Sequence, residues 1–403
     1  MPQDPQHTLI PYLPEHVAMA RELVAEAHAH DGLAPIDLER FWADDEVARR
    51  DPFAADIPQV AFGATLTTEC VYDELGIAQD FWRYDHDEAW RLELNQAYND
   101  RAEKIVGKRL LNEKPSDPRL QAPAHGHLHD VFEAENVWDN QSQSWWLQQA
   151  ANSDDELAAL LDRVDARDIR QTILPDTWAA EKERFLAAGG KLSLYRGQRG
   201  PVTFATSIFG VENLLMLLMT DADLAARLRD TILRVILDIA RVLDEEAGFT
   251  PETAPHGWSW CDDNCCLLTP DLYEFYAMPI HAGVFGRYAP DAADWRYQHS
   301  DSAMGHLLPL LARLDFKMVN FGPTVTCADI RAAMPRTAIQ GQLAPFTYCR
   351  NEEENIVLEF LRDHEMTRST RGLLFATAGS VNNGSRLTSM RLAMAAIQRY
   401  GRY

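Results

Sequence analysis

The chain lacks every short signature that would name a chemistry outright. It has no GxxxxGK[ST] loop, and no glycine fingerprint of a dinucleotide fold follows any strand-like run. No GxSxG elbow, HExxH helix or kinase signature appears either. Cysteine is scarce, six in 403 residues with no CxxC pair, which excludes a disulfide framework. Basic residues are outnumbered, 38 Lys and Arg against 61 Asp and Glu, leaving a net charge of −23. Such a chain repels nucleic acid and anionic membrane surfaces, so neither is expected as a partner. Long apolar runs are missing too: "LLMLLM" at 214–219 is far short of the ~20 residues of a membrane span. The opening "MPQDPQHTLIPYLPEH" has neither the basic start nor the apolar run of a signal peptide, so a cytoplasmic location is expected.

What is present is globular. With 46% hydrophobic residues the chain can bury a large core, and its length allows one large domain or two ordinary ones. Residues 1–118 read as helical, from "PEHVAMARELVAEAHAH" to "DEAWRLELNQAYNDRAEKIVGKRLL", with "PQVAFGATLTTECVYDELG" as a strand followed by a helix. The Pro-rich "NEKPSDPRLQAP" (112–123) is the best boundary. Beyond it, "HGHLHDVFEAENVW" and "GKLSLYRGQRGPVTFATSIFG" read as strands with turns. A long helix then follows, with Thr220 and Asp223 as its capping pair and Gly248 as its stop. Five strand–helix units come next, opening on "APHGWSW", "DWRYQH", "FKMVNFG", "TAIQGQL" and "GLLFATAG". That rhythm predicts parallel strands with helical crossovers. Without a dinucleotide fingerprint, a (β/α)8 barrel over 119–403 is preferred to an open doubly wound sheet, with 1–118 as an N-terminal helical extension or cap.

In a barrel the chemistry gathers at the C-terminal ends of the strands, and those ends can be read off. In "WCDDNCC", adjacent Asp262 and Asp263 are costly to hold together unless solvated, hydrogen-bonded or facing a cation. One is then a substrate or metal contact, or both belong to a helix N-cap before Thr269-Pro270. His299 and Asp301 stand two apart on extended chain and project to one side, as a metal pair or an acid–base pair. Alternatively, Asp301 caps the helix that follows. Gln342, Asn320 and Cys349 leave or follow later strands and join the candidates, Cys349 as a ligand. The glycines of "FATAGSVNNGS" suit a tight loop near a ligand. Arg196 and Arg199 in "YRGQRGP" are candidate carboxylate anchors, or solvated turn residues. Earlier, His125, His127 and His129 alternate in "HGHLHD". On a strand they would share one face, as a metal site or an anion-binding face.

From about residue 120 onward the chain resembles the uroporphyrinogen decarboxylase superfamily. The resemblance is carried by "RGPVTFATSIFGVENLLMLLMTDADLAARL", "CDDNCCLLTPDLYEFYAMPI", "HSDSAMGHLLPLLARLDFKMVNFGP" and "LLFATAGSVNNGSRLTSMRLAMAAI". It implies a (β/α)8 barrel, and either decarboxylation of porphyrinogens or zinc-dependent methyl transfer from corrinoid proteins. The arginine-bearing "PxWxMRQAGR" segment of the decarboxylases is missing. The methyltransferases carry His-x-Cys at the strand exit and a second cysteine after the last strand. Here those positions read His299-Ser300-Asp301 and the neighbourhood of Ala378, so the histidine matches and both thiolates are absent. The resemblance favours a metal-assisted methyltransferase with a small-molecule substrate, a corrinoid or folate methyl carrier and a divalent metal, zinc in that family. Its ligands would be His299 and Asp301, with Cys349. A carboxy-lyase acting on a small anionic, tetrapyrrole-like substrate is the alternative, with Asp263 or Asp301 stabilising a developing cation. A homodimer is the assembly to test.

Overall fold

The computed structural model describes residues 12–64 and 66–403. Most of the stretch behind the targeting expectation lies outside the described residues. Seven strands build one parallel sheet: β1 (Ala61–Phe62), β4 (Gly197–Arg199), β5 (Trp258–Cys261), β6 (Arg296–Ser300), β7 (Met318–Phe321), β8 (Ala338–Leu343) and β9 (Leu373–Thr377). A separate antiparallel hairpin joins β2 (Asn136–Asp139) to β3 (Ser144–Leu147). The large sheet runs in the order β1-β9-β8-β7-β6-β5-β4, so β4 to β9 lie side by side in chain order as they do in a (β/α) barrel. Among the described residues no pairing closes β1 onto β4, and no eighth parallel strand is assigned.

The reason for a parallel sheet is visible in the strands. β9 reads LLFAT and is buried at every position; β8 reads AIQGQL and is buried at all but one. Short apolar runs without alternation belong to strands covered on both faces, which is what helical crossovers achieve.

The chain divides into two units. One comprises the chain up to Lys114, His299–Leu308 and Phe316–Tyr403; the other comprises Pro115–Gln298 and Pro309–Asp315. In the first unit β9 pairs with β1 through Phe62 and Phe375, and with β8 through Thr377 and Leu343. The N-terminal segment thus supplies a sheet strand as well as helices. Helix Glu353–Thr367 packs against both Leu387–Tyr400 and Pro14–Ala29.

In the second unit β4 pairs with β5 from Gly197↔Ser259 to Arg199↔Cys261. Helix Ala222–Glu246 buries the stripe Leu228, Ile232, Val235, Ile236, Ile239 and Leu243. Its cap differs from the expected Thr220–Asp223 pair. Asp221 accepts the Leu224 amide at 2.9 Å, while the Thr220 hydroxyl bonds back to Met216 O and finishes the preceding helix. Two strand expectations are also corrected. Of "GKLSLYRGQRGPVTFATSIFG" only Gly197–Arg199 is strand, because Pro201 starts a helix that runs to Phe209. In "HGHLHDVFEAENVW" strand begins only at Asn136; His125 and His127 lie in a loop, and Leu128–Val131 is a short helix. No single helix among the described residues is long and apolar enough to cross a membrane.

Candidate active site

Strand β6 alternates: Gln298 and Ser300 are buried, and His299 between them is partly exposed. One residue past the strand end comes Asp301, and the two side chains meet as extended chain requires, His299 Nε2 lying 3.2 Å from Asp301 Oδ1. Asp301 does not cap a helix. The segment after it is a 3-10 turn, Gly305–Leu307, and the short helix begins only at Leu308, with Pro309 in its first turn.

Asn320, on β7, decides which nitrogen of His299 carries a proton. Its Nδ2 donates to the carbonyls of Gln340 (2.5 Å) and Thr377 (2.8 Å). Two carbonyls can be met only by the amide nitrogen, so Oδ1 faces the other way. There it accepts the Gly379 amide at 3.1 Å and stands 2.8 Å from His299 Nδ1. His299 must therefore donate from Nδ1, which leaves Nε2 aimed at Asp301.

Asp301 is gripped from the β9 side. The Ser380 amide (3.2 Å) and hydroxyl (3.3 Å) both donate to its carboxylate. Partial burial works to raise its pKa, but a protonated His299, by hydrogen bond and charge, with the two Ser380 donors, outweighs it and holds the carboxyl below the usual carboxylate range. Two glycines make room. A Cβ on Gly379 would sit 2.1 Å from Asp301 Oδ1, and one on Gly322 would sit 2.6 Å from the Asp301 carbonyl. The carboxylate opens on a cavity of about 210 Å³ lined by Asp301, Pro323, Pro345, Phe346, Ala378, Ser380 and Asn382. These residues follow the C-terminal ends of β6, β7, β8 and β9, within one unit.

The other candidates are placed as follows. Gln342 is buried on β8; its Nε2 donates to Gly322 O (3.2 Å) and Val325 O (2.5 Å), bracing the loop beneath Asp301. Cys349 ends helix Pro345–Cys349, its Sγ 3.6 Å from Phe346 O, and partial burial pushes the thiol pKa up. Asp262 is fully buried and accepts the Thr203 amide at 2.8 Å, at the start of helix Pro201–Phe209; burial pushes its pKa up to about 6. Asp263 begins the 3-10 turn after β5. Arg196 is committed inside the protein, to Asp244 Oδ1 (2.7 Å), to Pro255 O (2.9 Å) and over the Tyr288 ring. Arg199 is exposed, with Ser207 Oγ at 3.4 Å.

Three contributors were not nominated from sequence: Ser380, Pro323 and Phe346. A fourth group stands behind them. The buried carboxylates Glu359 and Asp363, one turn apart on helix Glu353–Thr367, accept the amides of Ala344 (2.6 Å) and Gln342 (3.2 Å). They hold the exit of β8. Their signal was a pair of acids on the otherwise apolar face of "IVLEFLRDH".

No family model and no curated protein matches the sequence. Among solved structures, the chain is similar to a methyltransferase from Methanosarcina mazei at a TM-score of 0.53 and 14% identity, over 87% of this chain and 96% of that one. At that identity the likeness shows the fold: an α/β protein of the barrel-like kind, whole chain against whole chain.

Proposed function

We propose that the chain is a methyltransferase-like enzyme built on a (β/α) barrel, with His299 and Asp301 as its reaction centre. The observation that carries the reading is the forced orientation of His299. With Nδ1 donating to Asn320, an uncharged imidazole would aim a lone pair at a carboxylate 3.2 Å away, which is repulsive unless a cation lies between them. That cation is a proton or a metal ion.

The donor set fits a divalent metal. A ring nitrogen whose partner nitrogen is pinned by an amide oxygen, beside a carboxylate pinned by two donors, is the outer-shell pattern of histidine–carboxylate metal centres. Without thiolates the set is harder than the zinc site of the resembled methyltransferases and accepts other divalent ions. A bound metal would supply Lewis-acid activation of a thiol or hydroxyl acceptor. The protein's share is positional: Asn320 holds the ring, Ser380 and Gly379 hold the carboxylate, and Phe346 and Pro323 wall the cavity. The methyl carrier on this reading is a corrinoid or a folate. Asp263 stays a candidate catalytic carboxylate, and Arg199 and Asn382 candidate substrate contacts. On this reading the enzyme works in the cytoplasm, a proposal that rests on the sequence.

The experiment compares His299→Ala and Asp301→Asn with the parent protein. Zinc content is measured after loading, and cob(I)alamin release is followed from methylcobalamin with a small thiol as acceptor. If the pair holds metal, each change lowers occupancy and turnover together, by ~10–100-fold, while the fold is kept. If Asp301→Asn abolishes turnover at unchanged metal content, the cation is a proton and the pair works as an acid–base couple; no methyl transfer by the parent protein favours the lyase reading. Full turnover in His299→Ala removes this site from the reaction.

A further inference from the structure

The "HGHLHD" segment was expected as a strand, and its three histidines converge without one. Gly126 donates to Ile173 O at 2.7 Å, and a Cβ there would lie 3.1 Å from Ile173 Cα, so the loop is pressed against its neighbour. Leu128 and Val131 are buried and anchor the short helix that follows. On this fixed base the rings line up: His125 and His127 are 5.2 Å apart between centroids, and His127 and His129 stack at 5.4 Å. Asp130 closes the group. Its carboxylate accepts the His127 amide at 2.6 Å, which fixes its position.

The remaining distances carry the argument. Asp130 Oδ2 lies 3.7 Å from His127 Nδ1, and its Oδ1 lies 3.6 Å from His129 Nε2. Both are too long for hydrogen bonds. Each is close to the ~3.3 Å that separates neighbouring ligands around a centre 2.0–2.1 Å from nitrogen and oxygen, so the carboxylate faces one ring through each of its oxygens. One donor atom from each of His127, His129 and Asp130 falls within 4.8 Å of the others. His125 stands next in line as a fourth donor. Its Nδ1 lies 2.8 Å from the carbonyl of Gly126, to which it must donate, and that leaves a lone pair on Nε2.

We propose that His127, His129 and Asp130, with His125 beside them, form a second metal site for a borderline divalent ion of the zinc class, separate in its residues from the His299–Asp301 pair. Three imidazoles and one carboxylate suit zinc, nickel or copper and disfavour calcium or magnesium, which take all-oxygen sets.

The test uses the untagged full-length protein carrying His299→Ala and Asp301→Asn, so that the rim pair contributes nothing. Zinc is titrated at pH 7.5 by calorimetry, then again after adding His127→Gln with His129→Gln, and separately Asp130→Asn. The last keeps an acceptor oxygen for the His127 amide. Expected is one zinc per chain in the rim variant, with affinity falling at least ~10-fold in each further variant while the metal-free melting temperature stays put. No zinc bound by the rim variant overturns the proposal, as does an affinity unchanged within about twofold when the histidines and the aspartate are replaced. Because the rim pair is already disabled, failure here leaves the proposed function standing, and failure of that function leaves this site standing.

Discussion

Replacing Asn320 by alanine would remove the buried hydrogen bonds it gives to the carbonyls of Gln340 and Thr377. Losing two such hydrogen bonds costs ~1–3 kcal/mol, so the variant should fold but melt earlier. A second effect separates this residue from ordinary packing. Without Oδ1 the His299 ring is free to exchange which nitrogen carries its proton, so Nε2 no longer faces Asp301 with a dedicated lone pair. Zinc affinity at the rim should fall ~10–100-fold, beyond what the stability loss explains; an unchanged affinity would mean Asn320 is structural only. His299, Asp301 and Asn320 were all legible in the sequence because each marks the end of a strand-like run. What could not be read was the direction of the Asn320 amide. That depends on two carbonyls contributed by β8 and β9, 20 and 57 residues further along the chain.

At the scale of elements, the loop after β9 matters as much as the strands. Gly379 has φ of +112°, a conformation few side chains adopt, and its missing Cβ is the space the Asp301 carboxylate occupies. Gly379→Ala should therefore cost ~1–3 kcal/mol in backbone strain and push Asp301 off Ser380. The expected readout is a lower melting temperature together with reduced zinc occupancy. Wild-type occupancy in a destabilised protein would show that Asp301 needs no such cradle. The tight loop in "FATAGSVNNGS" was foreseeable from its glycines; its partner just past β6 was not, since nothing local names it. The strand expectations held where apolar runs were short and flanked by helices, as in β7, β8 and β9. They failed where Gly, Pro and His punctuated the run. "GKLSLYRG" lacks the neighbours that would pair it through most of its length, and "HGHLHD" is taken over by a local turn in which Asp130 captures the His127 amide. Propensity gives no warning of either outcome, because side-chain capture and strand pairing compete for the same backbone groups.

In each unit a buried histidine and a buried carboxylate have proton affinities shifted in opposite directions. In the first, burial pushes Glu359 up to about 7, while burial and Arg368 push His364 down to about 4. In the second, burial pushes Asp262 up to about 6 and His281 down to about 3. As pH falls below about 6.5, unfolded histidines take up protons that the folded His364 and His281 refuse, so stability is lost. Over the same range folded Glu359 and Asp262 hold protons that the unfolded chain releases. Their contribution is complete below the unfolded carboxylate values near 4 and is lost as pH rises through about 6 and 7. Between pH 5 and 6 the two trends oppose each other within each unit, so their sum is nearly flat. Glu359→Gln removes one arm of that balance while keeping an oxygen for the Ala344 amide or the Thr347 hydroxyl. Relative to wild type, the variant should lose on the order of 1 kcal/mol of stability on going from pH 6 to pH 5, read from urea unfolding at the two values. Comparing variant with wild type cancels the relief of self-repulsion that any chain of net charge −23 gains as carboxylates are protonated. Parallel stability curves for the two proteins would show that Glu359 is ionised in the folded state at pH 6, as the charge of Arg362, itself paired with Asp363 at 2.8 Å, favours. The exit of β8 would then rest on two buried carboxylates balanced by Arg362, and Arg362→Met should cost far more than Glu359→Gln does.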